Sequence, residues 1–111
     1  MYVSHRDTIE GKKISELVTK QLLVTPEQGW EGHVMRLFTL APEGAAPRHS
    51  HDWEHIIYVL EGDGNLYLEG EDHRLSAGSV AYVPALSDHQ VANRGNGDFA
   101  FICIVPERGD Q

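Results

Sequence analysis

The stretch HIIYVLEGDGNLYLEG, residues 55–70, indicates how this chain folds. Its two apolar runs are rich in β-branched and aromatic residues, which is typical of strands. Glycine and aspartate or asparagine at Gly62–Asn65 mark a turn between them and predict a hairpin-like connection. A second turn of the same kind stands at Glu69–Asp72. Helical periodicity is nearly absent, so we expect antiparallel strands joined by tight turns.

Similar short runs recur along the rest of the chain, each ended by Gly, Pro, Asn or Asp. About eight short strands at this spacing predict an all-β, antiparallel jelly-roll β-barrel. We expect one domain over residues 1–111, since no linker or internal repeat divides the chain. Residues 1–15 are polar and predict either a frayed N-terminal arm or an edge strand lent to a second subunit. The predicted strands cover residues 16–24, 33–41, 55–61, 65–70, 73–77, 79–84, 89–93 and 99–106.

The composition argues against two classes of partner. A net charge of -8 with scattered Lys and Arg residues leaves no basic surface for phosphates, so we expect no nucleic-acid partner. No run approaches the roughly 20 apolar residues that span a bilayer, and the N-terminus lacks the apolar core of a secretion signal. A single cysteine, Cys103, cannot form an internal disulfide. We therefore predict a cytoplasmic protein without a membrane partner.

Two of the predicted strands, HIIYVL and FAFICIV, are apolar on both faces. A closed barrel would leave one face wetter than this. One explanation is that a second subunit covers the outer face, which makes a homodimer the expected assembly. The other is that a second sheet of the same chain covers it, and the sequence favours neither.

Three histidines stand close together in PRHSHDWEH, residues 47–55. In an extended segment His49 and His51 leave the same face, so both can bind one ion. His55 has the same odd parity, whereas Glu54 falls on the opposite face. We therefore favour His55 over Glu54 as a third ligand. A fourth must come from a distant strand, and His89 follows a proline-marked turn. The alternative is that these histidines lie on a wet strand end and hold no ion.

These residues resemble the cupin family, whose motifs are G(X)5HXH(X)3-4E(X)6G and G(X)5PXG(X)2H(X)3N. In the first motif His49 and His51 supply HXH, His55 falls at the glutamate position, and Gly62 ends the motif in register. Four residues of the second motif are also in register: Gly78, Pro84, His89 and Asn93. The resemblance covers about residues 33–106. It implies the double-stranded β-helix of the cupins.

The chain departs from the motifs at three positions. Gly44 precedes His49 by one residue too few, and Leu86 replaces the second glycine of the second motif. Because leucine avoids backbone conformations that glycine adopts, Leu86 predicts a different backbone there. The third departure is His55 in place of glutamate. In this respect HSHDWEHIIYVLEG is similar to small single-domain bacterial cupins, RmlC-like jelly rolls, whose metal is held by four histidines.

The resemblance implies a divalent metal bound by His49, His51, His55 and His89. Manganese and iron are the favoured metals on this resemblance, while imidazole chemistry also admits zinc, nickel and copper. Four neutral ligands would leave the full charge of the ion available to a small organic substrate or ligand. The expected function is a metal-dependent, dioxygenase-like oxidoreductase, without an assigned catalytic side chain. The alternative is a non-catalytic cupin that binds or senses a metal or small ligand.

Similar cupins imply which strands line the pocket. Alternation places Phe101 and Cys103 on one face of the last strand, and it places Met35 opposite Arg36 on the strand 33–41. The predicted pocket residues are Cys103, Phe101, Met35 and Trp53. A buried thiol or aromatic ring that simply fills the core is the alternative for each.

Overall fold

A computed structural model describes residues 1–110, which form nine strands and three short 3-10 helices; Gln111 lies outside the described residues. The strands are β1 (Gly11–Ser15), β2 (Val18–Val24), β3 (His33–Leu40), β4 (His55–Glu61), β5 (Asp63–Leu68), β6 (Glu71–Ser76), β7 (Val80–Val83), β8 (His89–Asn93) and β9 (Phe99–Pro106). The helices are Arg6–Thr8, Pro26–Gln28 and Glu107–Gly109. Within this described part, no helix has the length and apolarity that crossing a membrane requires.

The strands form two antiparallel sheets around one apolar core. The larger sheet has the order β1-β2-β3-β9-β4-β7 and the smaller has the order β6-β5-β8. Inward-facing side chains of both sheets build the core, among them Leu40, Val59, Leu66, Val91 and Phe99. The predicted all-β antiparallel jelly roll is confirmed.

Strand β4 shows the alternation on which the ligand prediction depends. His55, Ile57 and Val59 are buried, whereas Ile56 and Tyr58 are 49% and 46% exposed. The strand thus aims its odd-numbered side chains into the barrel, because successive residues point to opposite faces. His55 is the first residue of β4, and its side chain points into the barrel.

The predicted hairpin at Gly62–Asn65 is wrong. Strand β4 pairs with β7 and β9, whereas β5 pairs with β6 and β8, so the turn is a corner between sheets. Gly62 makes the corner because it has φ of 90°, and a Cβ there would overlap the carbonyl oxygen of Asp98. The second predicted turn does join a hairpin, β5 to β6, in which Leu68 pairs with Glu71.

The N-terminal residues are attached to their own chain rather than frayed. Strand β1 pairs with β2 at the edge of the larger sheet. The residues before it are held against β2, where Gln21 Nε2 donates hydrogen bonds to the carbonyl oxygens of Arg6 and Ile9 at 2.7 and 2.8 Å. The segment is therefore an edge strand preceded by an attached arm.

The outer face of β4 and β7 is apolar and exposed. Ile56, Tyr58, Val80 and Tyr82 have exposed fractions between 46% and 72%. The smaller sheet packs on the opposite, inner side and does not cover them. The explanation that a second sheet of this chain covers the apolar strand β4 on both faces is therefore wrong.

Candidate metal centre

Three of the predicted ligands converge at one end of the barrel. One imidazole nitrogen from each of His49, His51 and His89 lies within 4.8 Å of the others. His49 reaches this position because it pairs with His89 as an isolated antiparallel bridge, with reciprocal backbone hydrogen bonds of 3.1 Å. The segment before β4 thus extends the smaller sheet alongside β8. This pairing joins residues 40 positions apart, and the sequence alone does not show it.

The fourth predicted ligand, His55, lies beside this group. Its Nε2 is 3.2 Å from Nε2 of His51, and its ring centroid is 5.0 Å from that of His89. Two imidazole nitrogens that share an ion at about 2.0–2.1 Å lie roughly 3.0–3.4 Å apart. The separation of the His51 and His55 nitrogens therefore fits a shared cation, but His55 lies outside the group of three donors that are all within 4.8 Å of one another.

Hydrogen bonds to the second ring nitrogens orient two of these histidines. His89 Nδ1 is 2.9 Å from the carbonyl oxygen of Ser87, which can only accept, so Nδ1 carries the proton and Nε2 keeps its lone pair. His55 Nδ1 is 3.2 Å from Cys103 Sγ, to which Arg36 Nη2 also donates at 3.2 Å. When Sγ accepts from Nδ1 as well, His55 Nε2 is free to bind a metal.

The surroundings of His49, His51 and His55 disfavour the protonated form of each ring. Burial lowers the pKa of His49 and of His51, and the positive charge of Arg36 lowers each further. Burial, followed by repulsion from His89 and Arg36, lowers the pKa of His55 to about 3. Neutral imidazole is the form that binds a metal. The donor set therefore fits a divalent cation that accepts nitrogen ligands.

Two acidic residues beside the ligands lie outside the cluster. Glu54 is exposed and lies outside the group of three mutually close donors found among residues 1–110. Asp88 pairs instead with Arg48, whose Nη2 lies 2.5 Å from Oδ2, and this hydrogen bond lowers the pKa of Asp88. The pair spans the two segments that carry His49 and His89, and it supports their alignment.

Leu86 adopts a backbone conformation that glycine usually provides. Its φ is 69°, which is the left-handed conformation that glycine adopts. The prediction of a different backbone at Leu86 is therefore wrong. The Leu86 N–H donates a 2.6 Å hydrogen bond to the carbonyl oxygen of His51. The strained residue thus links the turn before β8 to the ligand loop, although its side chain is 69% exposed.

A cavity of about 470 Å³ adjoins the histidines, and its exposed lining is mainly apolar. Of the four predicted pocket residues, Cys103, Phe101 and Trp53 line the cavity and Met35 does not. Arg36 and Phe38 of β3 face the cavity instead, whereas Met35 lies on the other face, where it pairs with Ile104. The alternation was visible in the sequence, but which face of β3 points inward was not. Arginine within an apolar strand was the signal for this overlooked residue.

Comparison with known proteins agrees with this architecture. The auxin-binding protein T85 of Nicotiana tabacum is 33% identical over 82 residues, which are 65% of this chain and 44% of that protein. The polyketide cyclase RemF from Streptomyces resistomycificus superposes with a TM-score of 0.89 and 26% identity, over 96% of this chain and 80% of RemF. A predicted oxalate decarboxylase from Thermotoga maritima gives a TM-score of 0.87 and 24% identity, over 95% and 98% of the two chains.

The curated relatives are longer proteins, and this chain spans less than half the length of each of the first three it matches. The family profile of the cupin domain matches residues 36–105, from β3 to the end of the last core strand. This range contains the histidine cluster, the whole smaller sheet, most of the larger sheet's last four strands and most of the cavity wall. The chain therefore belongs to the cupin domain family.

Proposed function

We propose that this cupin is a metal-dependent enzyme that acts on a small organic substrate. His49, His51, His55 and His89 would hold the divalent cation, and the cavity of about 470 Å³ beside them would hold the substrate. Its volume falls within the range of small-molecule sites. The observation that carries the proposal is the convergence of His49, His51 and His89, with His55 alongside, on a largely apolar cavity.

The roles of the chain's own residues follow from the geometry. Ser87 and Cys103 orient the rings of His89 and His55 so that each can present Nε2. Apolar walls such as Phe101 and Val91 restrict water next to the ligands. When bound, a divalent cation supplies Lewis acidity and binding positions for anionic oxygen atoms. Manganese or iron is favoured by the family resemblance, and zinc, nickel or copper is compatible with imidazole ligands.

Two types of chemistry fit such a centre. A dioxygenase-like oxidation is the first, since an all-imidazole set suits a redox-active metal and no general base stands out in the cavity lining of the described residues. Non-oxidative ring closure is the second, and the likeness to the polyketide cyclase RemF over 96% of the chain favours it. Dependence on oxygen distinguishes the two.

A binding or sensing role without turnover is the other candidate function. It is supported by the match to the tobacco protein T85, which is named for binding auxin. Here the metal and cavity would recognise a small ligand, and occupancy rather than product formation would be the output.

We further propose a cytoplasmic homodimer that binds no nucleic acid. The exposed apolar face around Ile56, Tyr58 and Val80 is available to a second copy, and burying it would remove apolar surface from water. The acidic net charge of -8 supports the absence of a nucleic-acid partner. The buried free thiol of Cys103 supports a reducing, cytoplasmic environment.

Metal analysis followed by turnover assays tests the enzyme proposal. Protein purified without added metal should contain about one divalent ion per chain. Protein loaded with manganese or iron is then mixed with a panel of diketones, enols and aryl alkenes. An oxidation should consume oxygen, whereas a ring closure should form product under argon as well. His55→Ala should lose this activity, while His73→Ala, at an exposed histidine outside the cluster, should keep it. A metal-loaded wild type that binds panel compounds but converts none would favour the binding role.

A further inference from the structure

Arg36 is a buried cation in the wall of the cavity. The residue as a whole is 5% exposed. Its Nη2 donates to Cys103 Sγ at 3.2 Å, and its guanidinium carbon lies 4.9 Å from the ring centroid of Phe38. Its Nε is buried and has no hydrogen-bond partner in the described structure. A buried guanidinium donor without an acceptor costs free energy. Arg36 therefore has unused capacity to bind an anion.

A second cation, Lys20, shares a carboxylate with Arg36. Asp110 Oδ1 is 2.9 Å from Lys20 Nζ and 3.6 Å from Arg36 Nη1. All three side chains are largely buried, with exposed fractions of 11%, 7% and 19% for Lys20, Arg36 and Asp110. One carboxylate between two cations leaves an excess positive charge at this side of the cavity. The chain as a whole carries a net charge of -8, so this part of the cavity wall is positive in an otherwise acidic protein.

Asp110 belongs to the short segment that follows β9. Within this segment Arg108 pairs with Asp52 at 2.6 Å, and Gly109 packs so closely on the Trp53 indole that a side chain there would overlap it. Gly109 and Trp53 both line the cavity. The segment therefore crosses the cavity and brings the Asp110 carboxylate to the two cations from outside the barrel strands.

We propose that Arg36 and Lys20 form a subsite for the carboxylate of a small organic acid, and that Asp110 occupies it until the acid displaces it. Arginine presents donors that match a carboxylate, and the apolar lining accommodates the remainder of the acid. Arg36 and His55 contact the same Cys103 sulfur, so the subsite lies one side chain from a predicted metal ligand. The subsite requires no metal; only the role of the acid as substrate rests on the proposed function.

Calorimetry on the metal-free protein tests the subsite. After EDTA treatment, wild type and Asp110→Asn are titrated with 3-phenylpropionate and with its uncharged analogue 3-phenyl-1-propanol. Asp110→Asn should bind the acid about five- to tenfold more tightly than wild type does, because the internal carboxylate no longer competes. Affinity for the alcohol should stay the same. Acid binding no tighter than alcohol binding in Asp110→Asn would overturn the proposal.

Two further variants separate charge from loosening of the segment. Asp52→Asn breaks the Arg108 ion pair on the same segment but keeps Asp110, so it should leave acid affinity unchanged; a gain equal to that of Asp110→Asn would overturn the proposal. Lys20→Met added to Asp110→Asn should reverse most of the gain, and an unaltered gain would count against the subsite. Because no metal is present, failure here leaves the enzyme proposal intact, and absence of turnover leaves the subsite intact.

Discussion

The cavity has two sides of different chemical character. On one side lie four imidazoles, carried by the loop before β4 and by the first residues of β4 and β8, and burial lowers the pKa of His49, His51 and His55 among them. On the other lie two basic side chains, Lys20 of β2 and Arg36 of β3, which share the carboxylate of Asp110. Neutral donors suit a metal cation, whereas charged donors suit an anion. Under the two proposals above, one small barrel would bind a metal cation on one side of the cavity and the carboxylate of a small acid on the other.

Removal of a histidine from the cluster should have the largest effect. His89→Ala deletes a ring that belongs to the group of three mutually close donors and whose Nδ1 is already fixed by Ser87. We expect the affinity for zinc or manganese to fall by about 100-fold or more, because loss of a direct ligand exceeds the effect of losing an outer hydrogen bond. Metal content by elemental analysis and competition with a chelator provide the measurement.

The opposite side of the cavity supplies the control for this prediction. Lys20→Met alters a lining residue outside the histidine cluster and should keep the full metal content. If His89→Ala kept its full metal stoichiometry, His89 would not be a metal ligand. If Lys20→Met lost metal, the two sides of the cavity would not bind separately.

Cys103 joins the two sides, and its replacement should have the next largest effect. Cys103→Ala removes the acceptor 3.2 Å from His55 Nδ1, so that ring loses its orientation and metal affinity should fall by about 10-fold. Cys103→Ser keeps an acceptor of similar size and should retain more of the affinity. Chelator competition at pH 7.5 measures both variants. Equal affinities in wild type, Ala and Ser variants would show that this contact does not position the ligand.

Acidification should destabilise the metal-free protein. The pKa of His55 is lowered to about 3 in the folded chain, whereas in the unfolded chain it has its ordinary value of 6.5. Protonation therefore favours the unfolded state as the pH falls from about 6.5 toward 3, and stability is fully present above that window. The loss should be at most about 1 kcal/mol per pH unit, since solvent reaches part of the cluster.

Urea unfolding of EDTA-treated protein between pH 7.5 and 5 measures this effect. The matched variant is His55→Leu, which removes the titrating group and should flatten the pH dependence. An identical slope in wild type and variant would assign the effect to other groups.

The smallest predicted effect concerns the turn that carries the histidine side. Leu86 has φ of 69°, which glycine adopts without strain, and its exposed side chain contributes little burial. Leu86→Gly should raise the free energy of unfolding by about 0.5–1 kcal/mol, the relief of strain exceeding the entropy cost of glycine. Leu86→Ala keeps the strain and should change stability less. Denaturant unfolding compares them, and a less stable glycine variant would contradict the account.

Much of the histidine side could be anticipated from residues alone. The spacing of His49, His51 and His55, the parity of β4 and the position of His89 are properties of the sequence, and the structure brings these rings together. Their assignment as metal ligands stays a prediction. The cation side was not anticipated, because Lys20, Arg36 and Asp110 lie 16 and 74 positions apart along the chain and match no motif. Their proximity depends on how the last segment crosses the barrel.

The sequence by itself determined eight of the nine strands, their alternation and the antiparallel all-β class, because side-chain direction in a strand has a period of two and needs no partner. Only the tertiary structure decided that Gly62 is a corner between sheets, that Arg36 rather than Met35 faces inward, and that His49 pairs with His89. These outcomes depend on which strands close the barrel. Closure is fixed by long-range packing, which local patterns do not encode.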